Sequence, residues 1–213
     1  MLCFSWQAQP TIYKTELKVI PYLGGEPLSL KSVQANQSLH LTTFKLYISN
    51  VLLFKKFDKE LAPIAAPQLL DLSEKNILEY EDENMHLDYP DSLELILGVD
   101  SQTISNQMFF LKGDLDPIKG MYWTWHTGYV HLKMEGQYKQ KKFELHLGGY
   151  QGPYSSVQSL HFAMDKNKHR YELRLHLDAL FQQFPDDPFI MSPGRESARL
   201  MQLLAENAEL YSE

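Results

Sequence analysis

The chain has 213 residues, 44% of them hydrophobic, and carries a formal charge of −7. That acidic balance excludes the basic footprint of a general nucleic-acid binder and works against docking on an anionic membrane. The length allows one generous core, no run approaches the ~20 apolar residues of a membrane span, and the one cysteine, Cys3, excludes an intrachain disulfide and a cysteine-based zinc site.

The first ten residues, MLCFSWQAQP, are apolar and end near the small Ala8. They read either as the tail of a secretory signal lacking its basic start or as a native N-terminus with a few apolar residues. From residue 11 to 213 the chain reads as a single domain, without repeat, low-complexity tract or linker. Apolar and polar residues alternate over Thr11–Leu23, Leu39–Lys55, Asp91–Asp100, Gly128–Tyr138, Lys141–Tyr150, Ser156–Asp165 and Arg170–Asp178. A period of two, rich in β-branched and aromatic residues and bounded by Gly, Pro, Asn and Asp, predicts strands. At least seven strands make the fold all-β, an antiparallel β-sandwich or related barrel. Helices are confined to the end of the chain. Asp178–Phe184 predicts one or two turns capped by Asp178. Leu200, Leu203, Leu204 and Leu210 form an apolar stripe that predicts a C-terminal amphipathic helix over Glu196–Tyr211, started by the Ser-Pro-Gly at 192–194.

Two features carry chemistry. The first is GMYWTWHTGY at Gly120–Tyr129, with Tyr122, Trp123, Trp125, His126 and Tyr129 in ten residues. Trp123 and Trp125 share a face if this segment is extended, with Thr124 and His126 on the other. An indole offers only an N–H donor, so packing is the default role of both tryptophans. The second is the pair of runs YVHLKME and KFELHLG, which reads as a hairpin. One register that places both apolar sets on one face sets Val130 opposite Leu147, Leu132 opposite Leu145 and Met134 opposite Phe143. It also sets Lys133 opposite Glu144 and His131 opposite His146, about 5 Å apart at their β-carbons. Paired imidazoles suit copper, zinc or nickel, with His126 as a third candidate. The alternative is two histidines on a solvated sheet face.

Other chemistry is weak. The chain has no G-x-S-x-G elbow and no phosphate-binding glycine loop. Asp100, Asn106, Asp114 and Asp116 do not have EF-hand spacing and read as turn residues, so calcium is not expected. The acidic run Glu79–Asp88 reads as a solvated loop.

The run GDLDPIKGMYWTWHTGYVHLKMEG (Gly113–Gly136) resembles the signature of the MbnP-like family, copper-binding proteins named for a member encoded in methanobactin operons. FKLYISNVLL, LLDLSE, LILGVDS, FELHLGGY and LHLDALF follow in the order expected of that family, so the resemblance spans about Leu41 to Tyr211. It implies a periplasmic or secreted β-sandwich that binds copper and has no catalysis of its own. It further implies that copper binding depends on a tryptophan oxidised to kynurenine by a di-haem partner related to cytochrome c peroxidases. Trp123 and Trp125 match the modified position, and His146 matches the family histidine before the paired glycines. Three positions depart from the pattern. Gln68 stands where many relatives carry histidine, His126 where Asn, Gln or Ser is commoner, and His131 where an apolar or aromatic residue is usual. A metal-free binding or interaction module on the same sandwich is the competing expectation.

Overall fold

The computed structural model describes residues 15–30, 38–54, 66–75, 77–82, 91–105, 111–125 and 128–213. Residues 1–14, with the signal-like start and the first four residues of the expected first strand, lie outside the described residues. The first half of the chain supplies β1 (Thr15–Leu23), β2 (Glu26–Pro27), β3 (Leu39–Phe54), β4 (Gln68–Asp71), β5 (Leu78–Asp82) and β6 (Ser92–Leu97). A five-residue helix α1 (Ser101–Ser105) and β7 (Tyr122–Trp123) lead to the hairpin of β8 (Gly128–Tyr138) and β9 (Lys141–Gly148). Then come β10 (Gln158–Ala163), β11 (Arg170–His176), α2 (Asp178–Gln182), β12 (Phe189–Ile190), α3 (Arg195–Glu206) and β13 (Ala208–Ser212).

These strands form two sheets, a sandwich as the alternation predicts. One runs β13-β11-β1-β2, with β5 also on β1; the other runs β10-β6-β3-β8-β9-β12, with β4 on β3 and β7 on β8. The core lies between them and includes Leu17 and Val19 of β1, Leu46 of β3, Leu145 and Leu147 of β9 and Leu173 of β11. The apolar stripe of α3 joins this core through Leu200, Met201 and Leu204, all fully buried.

The sixteen-residue β3 organises the larger sheet. Leu46 pairs with both Leu70 and Leu132, and Ile48 with both Gln68 and Leu97. A strand has only two edges, so β4 takes one while β8 and then β6 share the other. A gap remains where β8 leaves β3 and β6 begins.

Four details differ from the sequence reading. The β1–β11 and β12–β9 pairings are parallel, because alternation encodes a face and not a direction. The terminal helix stops at Glu206 rather than Tyr211. Asn207 Nδ2 bonds the Leu203 carbonyl at 2.8 Å, and Ala208–Ser212 then pairs antiparallel with β11, setting Leu210 opposite Leu173. Asp178 does not cap α2: its carboxylate accepts the Gly24 amide at 3.0 Å and ties the β1–β2 turn instead. Glu79–Asp82, read as the start of a solvated loop, belongs to the strand β5 on β1, and residues 83–88 of that acidic run lie outside the described residues.

The end of β9 is a crowded junction. A Cβ added at Gly148 would lie 2.7 Å from Trp123 Cζ3 and 2.5 Å from the Tyr129 carbonyl. Ser197, fully buried in the first turn of α3, accepts the Gly148 amide at 2.9 Å and donates to the Gly148 carbonyl at 3.0 Å. Only glycine fits here, because ring and backbone already occupy the side-chain position. Gly148→Ala is therefore expected to cost about 1–3 kcal/mol in urea unfolding, while Gly194→Ala, at an extended position with open space around it, stays within about 0.5 kcal/mol. Equal stability of both variants would contradict this packing.

Candidate metal centre

The β8–β9 hairpin closes through Lys139 and Gln140, both with positive φ, as a tight two-residue turn requires. Its register is shifted two residues from the expected one. Met134 faces Leu145, Leu132 faces Leu147, and Lys133 faces His146. The apolar face is preserved, as a two-residue slip must preserve it, but His131 does not face His146. The register breaks between Val130 and Leu132, and His131 is the bulged residue.

His131 fills the gap between β8 and β6. Its ring lies where a Cβ on Gly98 would sit, 2.9 Å from Cγ and Nδ1, and Gly98 has a φ of +110°. Nδ1 is 3.0 Å from Ser156 Oγ. The Ser156 hydroxyl donates to the Gly149 carbonyl at 3.1 Å, which uses its one hydrogen, so we assign the proton on this ring to Nδ1. Nε2 is then a bare lone pair, buried and without a hydrogen bond of good geometry. Full burial pushes the imidazole pKa down to about 4, against weaker upward pulls from the Val99 backbone and the Asp100 charge.

His146 has a different setting. It lies on the opposite face of β9 from Leu145 and Leu147, and its Nε2 is 2.7 Å from Glu135 Oε1. Glu135 also accepts from Thr43 Oγ1 at 2.8 Å and sits 3.3 Å from Lys133 Nζ. Burial alone would raise the Glu135 carboxyl pKa, but the bonds from His146 and Thr43 and the Lys133 charge outweigh it and hold the group ionised, below the usual glutamate range. An ionised carboxylate accepts and does not donate, so the proton of a neutral His146 belongs on Nε2. Nδ1 is left as the free lone pair. A carboxylate behind one ring nitrogen is the arrangement that orients a metal-binding imidazole and raises its basicity.

The aromatic box sits beside this histidine. A preceding loop holds it in place: Tyr47 donates to the Asp114 carbonyl at 2.7 Å, the Asp114 carboxylate accepts the Leu69 amide at 2.8 Å, and Tyr129 donates to the Leu115 carbonyl at 3.1 Å. Lys45, paired with the buried Asp71 at 2.8 Å, donates to the Lys119 carbonyl just before the box. Met121, Trp123 and Tyr129 build a second small core with Tyr47 and Leu69. The box is thus largely packing, with Trp125 as the exception. Trp123 lies in β7 and is buried, whereas Trp125, in the turn that follows, is 64% exposed. Their rings remain in contact, with centroids 5.6 Å apart. Since Trp123 occupies the side-chain position of Gly148, it lies on the same face of β9 as His146, two residues and about 6.5 Å along the strand. His126 lies outside the described residues.

Among the described residues no group of three or more His, Cys, Asp or Glu side chains is placed to hold a metal ion. Asp100 is committed to Asn50 and the Thr103 amide, and Asp116 to the Ile118 amide; these carboxylates serve as turn caps. What the chain does supply is one oriented imidazole next to a tryptophan pair. Sequence reading missed Glu135, Ser156 and Lys45. The pairing of Glu135 with His146 depends on the register, and nothing in the alternation of the two strands distinguishes registers two residues apart.

A two-sheet sandwich that presents a carboxylate-backed histidine beside a tryptophan pair defines the class of protein: a β-sandwich with a sparse candidate metal centre on one sheet. The MbnP family model matches residues 13–192, and the chain belongs to that family. Among solved structures it is similar to MbnP from Methylosinus trichosporium, with a TM-score of 0.55 and 14% identity over 85% of this chain and 81% of that one. At that identity the likeness is one of fold. No curated protein matches the chain.

The His131 setting predicts a pH dependence. Its folded pKa of about 4 lies below the ordinary value of 6.5, so between these the unfolded chain holds one more proton. Stability is fully present above pH 6.5 and falls as the pH drops toward 4, by about 3 kcal/mol from this residue. Urea unfolding across that range is expected to lose this part of its slope in His131→Asn, which retains an N–H to offer Ser156. An unchanged slope would contradict the assignment.

Proposed function

We propose that this protein binds copper at His146 and has no catalysis of its own. The observation that carries the reading is the 2.7 Å contact between His146 Nε2 and Glu135, which fixes the ring and leaves Nδ1 for an ion. One imidazole is too few ligands for a stable copper site, so the neighbouring tryptophans complete it. Oxidation of Trp123 or Trp125 to kynurenine replaces an indole N–H, which has no lone pair to give, with an aryl amine and a carbonyl. Trp123 packs over Gly148 on the face of β9 that carries His146, and Trp125 is the more exposed ring, the one more open to a protein-sized oxidant. That oxidant is a di-haem enzyme related to cytochrome c peroxidases, and the setting is periplasmic or secreted; both rest on family membership. His126 is a further ligand candidate. His131 keeps a structural role in this reading, clamped between Gly98 and Ser156.

A second reading, a metal-free envelope module, is favoured by the burial of Trp123 in the small core. Intact mass and copper titration of protein from its native host separate the two. The copper reading predicts a gain of about 4 Da, one oxygen in and one carbon out, mapped to Trp123 or Trp125. It also predicts stoichiometric copper uptake that His146→Ala abolishes. An unmodified mass with no uptake supports the metal-free module.

A further inference from the structure

The outer face of the smaller sheet carries a charge pattern that does not close on itself. On β1 and β11, which run parallel, Glu16 is aligned with Arg170 and Lys18 with Glu172. Aligned side chains on adjacent strands share a face about 4.8 Å apart, so these four form a checkerboard of alternating sign. One side of it is paired: Arg170 Nε lies 3.3 Å from Glu16 Oε2. The other side is not. Lys18 reaches toward Glu79 on β5, and their 3.7 Å separation is too long for a hydrogen bond. Glu172 is engaged elsewhere, its Oε1 accepting the Tyr22 hydroxyl at 2.7 Å and Arg174 Nε at 2.6 Å. Arg174 is itself held between two rings, 4.9 Å from the Tyr22 centroid and 3.9 Å from that of Tyr211. Burial alone would raise the Glu172 carboxyl pKa, but the bonds from Tyr22 and Arg174 outweigh it and keep the group ionised, below the usual glutamate range.

A groove of about 240 Å³ lies here, lined by Lys18 and Glu172 together with Glu16, Arg170 and Glu213. Pockets for drug-sized ligands start at about 300 Å³, so the occupant must be smaller. The floor is a bonded sheet: the Glu16 amide donates to the His169 carbonyl at 2.8 Å and the Glu213 amide to the Arg170 carbonyl at 3.0 Å. The walls have bonding capacity to spare. Among the described residues Lys18 Nζ donates no hydrogen bond, the Arg170 guanidinium pairs with Glu16 alone, and Glu172 Oε2 accepts nothing.

The geometry points to a binding site in this groove for a small zwitterion of amino-acid size, its carboxylate on Lys18 and Arg170 and its ammonium group on Glu172. The site lies on the other sheet from His146 and does not depend on the copper reading. A simple anion would bring its charge against Glu16, Glu172 and Glu213, and a simple cation against Lys18 and Arg170. A zwitterion meets both signs at once, and its two charges are a few ångströms apart, as the aligned positions are. Glu172 is the fixed anchor, because Tyr22 and Arg174 orient it before a ligand arrives. Lys18 and Arg170 supply charge-assisted hydrogen bonds to the carboxylate.

The test uses the whole chain labelled with nitrogen-15. It is titrated with glycylglycine and L-alanine as zwitterions, and with N-acetylglycine and glycinamide as anionic and cationic counterparts. The expected result is a saturable shift of the Lys18, Arg170 and Glu172 amides with at least one zwitterion, at a Kd of about 1 mM or tighter, and binding about tenfold or more weaker for both single-charge probes. Lys18→Met, at an exposed position, should weaken zwitterion binding about tenfold or more. Glu172→Gln should do the same, since its amide oxygen still accepts from Tyr22 and Arg174 but carries no charge; an unchanged circular dichroism spectrum confirms the fold of both variants. No saturable shift of these amides with either zwitterion up to about 50 mM, well above that Kd, overturns the inference. So does equal affinity for N-acetylglycine or glycinamide, and so does a Lys18→Met protein that binds the zwitterion like the parent.

Discussion

The close approach of the Trp123 ring to the backbone of Gly148 is the constraint on which the rest of this structure hangs. It requires the absence of a side chain at the end of β9 and fixes the aromatic box against the larger sheet. The same glycine holds the helix: both of its backbone polar groups bond Ser197, which docks the first turn of α3. Its neighbour Gly149 extends the junction. The Gly149 carbonyl accepts the Ser156 amide and hydroxyl, Ser156 holds His131, and His131 fills the space left by Gly98. Two adjacent glycines thus connect the box, the terminal helix, the loop before β10 and the gap between β6 and β8.

The candidate site follows from that junction and from the hairpin register. Direct pairing sets Glu135 against Glu144 and Lys133 against His146, each unfavourable or neutral as a charge pair. The side chains resolve this diagonally, Glu135 reaching His146 and Lys133 together, with Thr43 of β3 supplying a further donor. A carboxylate with that many donors stays ionised, and an ionised carboxylate dictates the tautomer of its histidine. Trp123 packs over Gly148 on the face of β9 that carries His146, and the Trp125 ring contacts it.

Much of this architecture is legible in the order of the residues. The seven longest runs of alternation form strands at or near their predicted bounds, because each has one buried face and the period of two reports that directly. The amphipathic stripe of Leu200, Leu203 and Leu204 likewise forms α3. What is not legible depends on relations between distant segments. Strand direction is one, as the parallel β1–β11 pair shows. Leu210 is another: it fits the helical stripe by spacing but is drawn into β13 by the open edge of β11. Register is the third. A two-residue slip leaves every apolar residue of β8 and β9 on its proper face, so the pattern alone does not choose between a His131–His146 pair and the observed Glu135–His146 pair. Nor does the pattern mark His131 as a bulge residue, since that depends on the space Gly98 leaves for it.

The most direct test of the central claim, that Glu135 fixes the His146 tautomer and presents Nδ1 as a ligand, is a long-range proton–nitrogen NMR correlation of the His146 ring, taken before and after adding silver(I), a diamagnetic stand-in for copper. The account predicts a ring protonated at Nε2, with a bare Nδ1 whose resonance shifts strongly when the ion binds. A ring protonated at Nδ1, or an Nδ1 resonance that does not respond to the ion, would contradict it.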